Sequence, residues 1–399
     1  MKLYPILLLK REIEYLLLLP FILYGKWKAS RKPLKEEYDL ICFFPTYGLG
    51  GAEKVNADVI SCFPHKKILV VFCKKSPESS SLHLFQHPHV TLLNIGDHTD
   101  RAQSFSNFIY RGIFSYHVNK QKKKTVVFIG QCNFGYKLLP HLRKDTRKVE
   151  LIHTTEKKFA WVTFPYITYL DYRIMVGRSI IEKQQQYYDE LGIPRRYKDR
   201  IRLIFYASQS YANKPAQRTY EGKIKVFYGG RGGYQKRVHL IVEIIRKCQA
   251  AGLPIEMHFV GSHKEELPED ILQTCYYHGK LNAGAEMNQF QQGMDVLLMT
   301  SAFEGFPIVI MESLNNGIIP VVTAVDAIPE HIKNGWNGFI IRDPANEESV
   351  IEQGYAHLKY ICEHRSELPR ISENCLHYAK EHFSTETFCA GYSKAFDFS

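Results

Sequence analysis

Residues 299–322 read MTSAFEGFPIVIMESLNNGIIPVV, and this stretch predicts the fold of the chain. The apolar run 295–299 predicts a buried strand, and the run 318–323 predicts the next one. Between them we expect a helix over about 307–316, with Pro307 in its first turn, where a missing N–H group has no consequence. A strand, a tight loop, a helix and a second strand form the repeating unit of a parallel α/β sheet.

The loop before this helix is suited to bind an anion, because free N–H groups and the helix dipole point at its mouth. Glu304 lies in the loop and Glu312 lies inside the helix, so each carboxylate can bind hydroxyl groups at one end of a phosphate-containing ligand. A nucleotide-sugar has that layout. The residues that we expect to bind such a donor here are Glu304, Gly305, Phe306, Pro307, Ile308 and Glu312.

The two glutamates and the residues around them resemble the E-x7-E signature of family-4 retaining glycosyltransferases, the glycosyl transferases group 1. The resemblance implies an α/β enzyme of the GT-B fold, with two Rossmann-like lobes whose parallel sheets face each other across a cleft. Glu304 would then hold hydroxyl groups of the donor sugar, and Glu312 those of the ribose. Relatives usually carry two glycines where Asp326 and Ala327 stand, so the donor's identity stays open. The residues that carry the resemblance are Ser301, Glu304, Glu312, Gly317, Pro320, Val321, Pro329, Glu330, Asn337 and Gly338.

A second glycine-rich loop, GGRGGYQK over 229–236, lies between a predicted strand and a predicted helix. Arg231 and Lys236 resemble the family's G-R-x4-K segment, in which both cations hold the donor diphosphate and stabilise the charge that grows on it. The alternative is a pair of exposed surface cations. Because no D-x-D triplet occurs, we expect no metal and no other cofactor.

The first half of the chain offers two further candidates. A strand over 39–44 leads into a glycine-rich turn, and Gly50 and Gly51 resemble the family's G-G-x-E turn, which approaches the phosphates. His153 ends another predicted strand, and the segment 151–155 resembles the one whose histidine lies beside the donor's reacting carbon; the alternative is a structural histidine. The predicted catalytic residues are therefore His153, Glu304, Arg231 and Lys236.

The composition favours an anionic partner. The formal net charge is +11, which suits a phosphate donor or an anionic membrane surface, whereas no nucleic-acid-binding motif is present. Nine scattered cysteines without a C-x-x-C pair indicate no disulfide framework and fit a reducing cytoplasm.

Residues 1–35 differ from the rest of the chain. Two apolar runs, each too short to span a bilayer, precede a basic cluster, and no signal-peptide cleavage site follows them. This pattern predicts an amphipathic segment that places the protein on the inner face of the cell membrane. The alternative is a helix packed on its own domain. The basic cluster consists of Lys26, Lys28, Arg31, Lys32 and Lys35.

The remaining organisation follows from the resemblance, which covers about 40–395. We expect an acceptor lobe, a linker, a donor lobe and a last helix that crosses back to the first lobe. Their predicted bounds are 36–206, 207–222, 223–383 and 384–399.

The predicted function is transfer of a sugar from a UDP- or GDP-sugar to a hydroxyl group of an acceptor, with retained anomeric configuration. The predicted acceptor is a glycan, in particular a lipid-linked one that enters a capsule, O-antigen or exopolysaccharide. Two alternatives stay open: a sugar-nucleotide epimerase, which needs no acceptor, and a non-catalytic nucleotide- or carbohydrate-binding subunit of an assembly complex.

Overall fold

A computed structural model describes residues 3–48, 50–76, 81–153, 162–207, 218–282 and 284–398. The chain forms two compact units: Met1–Ile204 with Cys389–Ser399, and Phe205–Phe388.

The strands are short, as is usual for parallel sheets. They are β1 (Leu40–Phe44), β2 (Ile68–Phe72), β3 (Val90–Asn94), β4 (Val126–Gly130), β5 (Arg147–Ile152), β6 (Tyr172–Met175), β7 (Ile201–Leu203), β8 (Ile224–Arg231), β9 (Ile255–Ser262), β10 (Tyr276–Tyr277), β11 (Val296–Met299), β12 (Ile319–Thr323) and β13 (Phe339–Ile341).

The α-helices of the described residues alternate with these strands. They are α1 (Tyr4–Arg31), α2 (Gly51–Ser61), α3 (Gly96–Thr99), α4 (Phe105–Asn119), α5 (Asn133–Leu138), α6 (Arg178–Leu191), α7 (Val238–Ala250), α8 (Glu269–Thr274), α9 (Ala285–Gln292), α10 (Ile308–Asn315), α11 (Ile328–His331), α12 (Glu347–Glu363), α13 (Leu368–His382) and α14 (Thr385–Phe396).

Each unit contains one parallel sheet. The first unit has the strand order β3-β2-β1-β4-β5-β6-β7, and the second has β10-β9-β8-β11-β12-β13. The strands β1, β2, β4, β11 and β12 are buried along their whole length, because helices cover both faces of a parallel sheet. The prediction of two Rossmann-like lobes is therefore confirmed.

The N-terminal segment forms one continuous helix, α1, in which Pro20 lies well inside the helix. It packs so closely on α4 that a Cβ at Gly25 would lie 2.1 Å from the carbonyl oxygen of Ile109. Glu14 adds ion pairs to Arg111 at 3.1 Å and to Lys137 at 2.6 Å. One face of α1 thus belongs to the core of the first unit. Among the described residues, no helix combines the length and the hydropathy that crossing a bilayer requires.

The helix α10 begins one residue later than predicted. Pro307 has φ −65° and ψ 125° and caps the helix from outside, so the prediction that it lies in the first turn is wrong. The extended ψ angle lets the loop enter the helix at a sharp angle, whereas a helical Pro307 would continue the axis backwards.

Cys62 and Cys389 form a disulfide between the end of α2 and α14, across 327 positions of sequence. The sequence pattern did not predict this bond, because the two cysteines meet only through the fold. Both belong to the first unit, so the disulfide fastens the returning C-terminal segment to the unit that the chain left at Ile204.

Candidate functional site

The side chain of Glu266 is bonded to the backbone of the loop after β8. Its carboxylate accepts a hydrogen bond of 2.7 Å from the N–H group of Gly233. A Cβ at Gly232 would lie 1.7 Å from the same oxygen, so a side chain there would displace the Glu266 carboxylate. The Tyr228 hydroxyl donates to the carbonyl of Arg231 at 2.5 Å, and the Arg231 side chain is exposed. The guanidinium is therefore carried on a fixed backbone and faces solvent.

Lys236 and Glu304, two predicted site residues, are in direct contact. The Lys236 ammonium lies 2.5 Å from Oε1 of Glu304, whose side chain is only 8% exposed. Gln235 supports the pair, because its amide nitrogen donates to the carbonyl of Phe303 at 3.0 Å and to Oε2 of Glu304 at 3.4 Å. An ammonium group has three donors, so Lys236 can keep Glu304 and bind a phosphate oxygen as well.

Asp326 fixes the backbone of the Glu304 loop. Its Oδ2 accepts a hydrogen bond of 2.7 Å from the N–H group of Glu304. Asp326 has φ +43°, in the left-handed region where glycine is easiest to accommodate and aspartate is tolerated. The side chain that stands in place of a glycine therefore makes an internal contact within the site.

Arg237 is a site-building residue that the sequence reasoning missed. It is buried, has φ +48° and precedes α7. Its guanidinium donates to three carbonyl oxygens, those of Thr300 at 2.7 Å, Ser301 at 3.1 Å and Pro344 at 2.7 Å. These bonds tie the loop after β8 to the loop after β11. One signal was available, because a cation at a helix N-terminus opposes the helix dipole and therefore needs another reason to be there.

Phe306 anchors the loop before α10 by its side chain. The ring is buried and lies 4.2 Å from the ring centre of His331 and 5.5 Å from that of Phe383. The Nδ1 atom of His331 in turn lies 3.0 Å from the Tyr378 hydroxyl. This packing assigns the Phe306 side chain to the core, so its backbone is the part that can face a ligand.

The other predicted residues of this loop follow in order. Gly305 is half-buried, Pro307 caps α10, and Ile308 is its first helical residue. Glu312 lies half-buried one turn into the helix, where its carbonyl accepts a 3.1 Å hydrogen bond from the N–H group of Asn316. The two glutamates of the signature thus lie before and within one short helix.

Gly50 and Gly51 begin α2 in the first unit. Gly50 is the capping residue, and a Cβ there would lie 2.5 Å from Oε2 of Glu53. The other carboxylate oxygen of Glu53 accepts a 2.9 Å hydrogen bond from the Thr46 hydroxyl. The absence of a side chain at Gly50 therefore leaves room for Glu53 to fold back onto the loop after β1.

His153 directly follows β5, at the carboxyl end of the first sheet. The backbone N–H group of His153 donates a hydrogen bond of 3.2 Å to the side-chain oxygen of Gln131, and Gln131 follows the neighbouring strand β4. Burial lowers the pKa of His153 to about 4. The imidazole is therefore neutral at neutral pH and has one donor and one acceptor nitrogen.

The structure brings Lys236 and Glu304 into contact and places Arg231 and Glu312 in the same unit. The part of the chain with described coordinates contains no group of three or more His, Cys, Asp or Glu side chains that could hold a metal ion. Independence of a metal stays a prediction. The first unit contains Gly50, Gly51 and His153.

Comparisons with known proteins find one matching family and several similar proteins. Residues 210–358 match the family described as "Glycosyl transferases group 1". A 41.2 kDa protein of the cps region of Klebsiella pneumoniae is 23% identical over 242 residues, which are 60% of this chain and 63% of that protein. Granule-bound starch synthase 1 of Arabidopsis thaliana is 27% identical over 118 residues, 28% of this chain and 19% of the synthase. The chain thus spans less than two thirds of the length of these relatives.

Solved structures resemble the chain along most of its length. The lipopolysaccharide outer core galactosyltransferase WaaB, in its apo form, has a TM-score of 0.64 and 18% identity, over 89% of this chain and 98% of WaaB. Anabaena HepE, in complex with UDP and glucose, has a TM-score of 0.70 and 15% identity, over 90% of this chain and 99% of HepE. At these identities the likeness establishes the fold, and the family match covers the unit that carries Lys236 and Glu304. The chain therefore has the GT-B fold, and its residues 210–358 are similar to the group 1 glycosyltransferases.

Proposed function

We propose that the protein is a retaining glycosyltransferase that moves a sugar from a nucleotide-sugar, a UDP- or GDP-sugar, to a hydroxyl group of an acceptor. The contact between Lys236 and Glu304 carries this proposal. An ammonium group beside a buried carboxylate supports the proposal, because the junction between diphosphate and sugar needs a cation for the phosphate and an acceptor for the sugar hydroxyl groups. HepE, which shares the fold, has been crystallised with UDP-glucose.

The chemistry assigns a separate task to each group. The bond between the anomeric carbon and the diphosphate breaks, the acceptor oxygen bonds to that carbon on the same face, and the acceptor's proton passes to a diphosphate oxygen. Arg231 and Lys236 stabilise the negative charge that develops on the diphosphate. Glu304 binds hydroxyl groups of the sugar, and Glu312 binds those of the ribose. His153 is neutral and suited to a hydrogen bond with a sugar hydroxyl.

The acceptor that we propose is a lipid-linked glycan of a bacterial surface polysaccharide. Support comes from the cps-region relative and from the fold shared with WaaB, whose name describes transfer to the lipopolysaccharide outer core. A lipid-linked acceptor requires the enzyme to work on the cytoplasmic face of the cell membrane, where nucleotide-sugars are available. No metal takes part in this proposal, because Arg231 and Lys236 supply the positive charge.

Thermal unfolding with a panel of UDP, GDP, ADP and CMP, each with and without EDTA, tests the donor site. One nucleoside diphosphate is expected to raise the melting temperature by a few degrees at about 100 times its Kd, because it binds only the folded state. EDTA should not reduce the shift, and Arg231→Ala should abolish it. The matched control is Lys247→Ala, which removes an exposed cation of the same unit. A shift that survives in Arg231→Ala, or no shift with any nucleotide, contradicts the proposal.

Product analysis then tests the reaction itself. With the identified donor and a glycan acceptor, the wild type should form a glycosylated product, whereas Glu304→Gln should bind the nucleotide and form little product. Conversion of the donor to its epimer without any acceptor would instead identify an epimerase.

A further inference from the structure

The outer face of α1 is apolar from one end of the helix to the other. Six of its large apolar side chains are at least 42% exposed and follow each other at intervals of three, four or seven residues. The exposed Pro20 fills the interval of seven, between Leu16 and Leu23. A contiguous apolar surface of this length marks an interaction site rather than ordinary protein surface. The six are Ile6, Leu9, Ile13, Leu16, Leu23 and Trp27, and we call them the α1 stripe.

The α1 stripe cannot turn into the protein, because the opposite face of α1 is already fixed. Gly25 and Gly112 meet backbone to backbone, and a Cβ on either would lie 3.0 Å from the Cα of the other. Glu14 is bonded to Arg111, whose side chain is buried. A helix fixed on one side by backbone contact and a buried ion pair keeps its other side outward. Within the described part of the chain, the stripe therefore stays exposed.

The neighbouring helix widens the apolar surface. Phe105 of α4 is 67% exposed, and its ring lies 5.2 Å from that of Phe21 on α1. Leu17, which is 70% exposed, lies beside Leu16 on the same side of α1. The apolar surface thus follows α1, which is about 42 Å long at 1.5 Å per residue, and extends onto α4 at Phe105.

Positive charge borders the stripe and increases toward its C-terminal end. Lys10 and Lys28 are exposed at its margin, and Lys32 and Lys35 follow the helix. Arg31 lies in the last turn, with its guanidinium 4.1 Å from the ring centre of Trp27. Aromatic rings beside basic side chains are suited to the boundary between lipid tails and anionic headgroups.

The acidic side chains of α1 do not oppose this charge. Glu12 is ion-paired to Arg11, and Glu14 is directed into the unit, where it binds Arg111 and Lys137. An apolar stripe with a basic margin matches an anionic membrane surface better than a second copy of this basic chain, because two copies would bring like charges together.

We propose that α1, with Phe105, docks flat on the surface of an anionic lipid bilayer. The α1 stripe enters the acyl boundary, and the basic residues at its margin contact the headgroups. Only the biological role of the docking surface, which is to bring the enzyme to a lipid-linked acceptor, rests on the proposed function. Binding to lipid is measured without donor or acceptor, so the two proposals fail independently.

Sedimentation of the full-length protein with vesicles tests the docking surface. The wild type should sediment with phosphatidylcholine vesicles that contain phosphatidylglycerol. The variant Leu16→Gln/Leu17→Gln should lower the partition coefficient about tenfold or more, because two exposed leucines no longer enter lipid. The matched control is Leu93→Gln, which changes an exposed leucine of β3 in the same unit and should bind as the wild type does.

A second pair of variants tests the charged margin. The Lys28→Glu/Arg31→Glu variant should no longer prefer vesicles with phosphatidylglycerol over pure phosphatidylcholine vesicles. Added salt should likewise weaken the binding of the wild type to vesicles with phosphatidylglycerol. Lys122→Glu reverses an exposed charge elsewhere in the first unit and should leave the preference unchanged. Since all substituted side chains are exposed, far-UV circular dichroism and the unfolding midpoint should match those of the wild type.

Three results would overturn the inference. The wild type could stay in the supernatant with both vesicle types, or the Leu16→Gln/Leu17→Gln variant could sediment as the wild type does. Sedimentation velocity could also show a wild-type dimer that this variant converts to a monomer, which would assign the stripe to a second copy. Vesicle binding by a protein that binds no nucleotide would support the docking surface and refute the proposed function.

Discussion

At the scale of single residues, Asp326 stands where the resemblance to the family implies a glycine. The left-handed backbone at this position is the one a glycine would adopt, yet the side chain adds a hydrogen bond to the N–H group of Glu304. Asp326 therefore positions Glu304 indirectly, through the backbone of its loop. The substitution preserves the local backbone and transfers part of the loop's support to a carboxylate.

We expect Asp326→Gly to lower kcat about tenfold while nucleotide affinity stays nearly unchanged, because a hydrogen bond to a charged acceptor is lost and Glu304 is held less firmly. Asp326→Asn keeps an acceptor and tolerates the same backbone, so it should restore most of the activity. Steady-state kinetics with a nucleotide titration measures both effects. The control Asp343→Gly changes another aspartate with positive φ, at +52°. Equal kcat values for Asp326→Gly and the wild type would refute this positioning role.

Arg237 stabilises the same site through the backbone. Arg237→Met should lower the free energy of unfolding of the second unit by about 3 kcal/mol, since three carbonyl oxygens lose a charged donor. Urea unfolding, followed by hydrogen exchange of peptides from β11, measures the change. His239→Ala, at an exposed position of α7, is the control and should unfold as the wild type does. If Arg237→Met unfolds at the same urea concentration as the wild type, water replaces the guanidinium without loss of stability.

At the scale of elements, the sequence predicts strands and helices best where the pattern of apolar residues is regular and follows directly from burial. The strands β11 and β12 are continuous apolar runs because helices cover both sides of a parallel sheet. The buried face of α7 follows the helical spacing of residues 240–248 in the same way. The spacing of Glu304 and Glu312 was readable because a signature is local in sequence.

What could not be predicted depends on contacts between segments far apart in the chain. The bonds of Arg237 reach residues 63 to 107 positions away, and that of Asp326 reaches back 22 positions. The charged stretch 10–14 divided the apolar pattern into two runs, the second of which contains Pro20, yet the structure has one continuous helix that packs closely on α4. One face of α1 packs on its own unit, as the alternative interpretation predicts, and the other face stays exposed, so membrane association stays a prediction.

The contact between α1 and the rest of its unit also predicts that stability depends on pH. His141 stacks on Tyr15 of α1 at 5.1 Å, and burial, reinforced by the charges of Lys26 and Arg111, lowers its pKa to about 3. The folded pKa lies below the unfolded value of about 6.5, so the unfolded state binds the proton first. The contribution of His141 is therefore fully present above pH 6.5 and is lost as the pH falls below it.

From pH 7 to pH 5 the wild type should lose about 2 kcal/mol more unfolding free energy than His141→Gln. Urea unfolding at both values measures the difference, and hydrogen exchange of peptides from α1 locates it. The exposed His83→Gln is the control and should keep the wild-type pH dependence. If the wild type and His141→Gln lose the same unfolding free energy between pH 7 and pH 5, protonation of this histidine is not coupled to unfolding.

At the scale of the whole molecule, the chain leaves the first unit at Ile204 and returns to it at Cys389. The returning segment packs on the sheet, with the ring of Phe396 5.2 Å from that of Phe128 and the carboxylate of Asp397 2.6 Å from the guanidinium of Arg147. The disulfide joins this segment to α2 and closes a loop that contains the entire second unit. The stability of the first unit therefore depends on a segment that follows the second unit in the chain.

Because the disulfide restricts the unfolded chain across 327 positions, Cys389→Ser should lower the unfolding free energy of the first unit by about 3 kcal/mol under oxidising conditions. Dithiothreitol should bring the wild type to the level of the variant and leave the variant unchanged. Urea unfolding, followed by hydrogen exchange of peptides from β1, measures this, and Cys275→Ser, which removes a free thiol, is the control. If reduction leaves the wild type as stable as before, packing alone holds the returning segment. The protein would then be equally stable under reducing conditions, in which such bonds stay open.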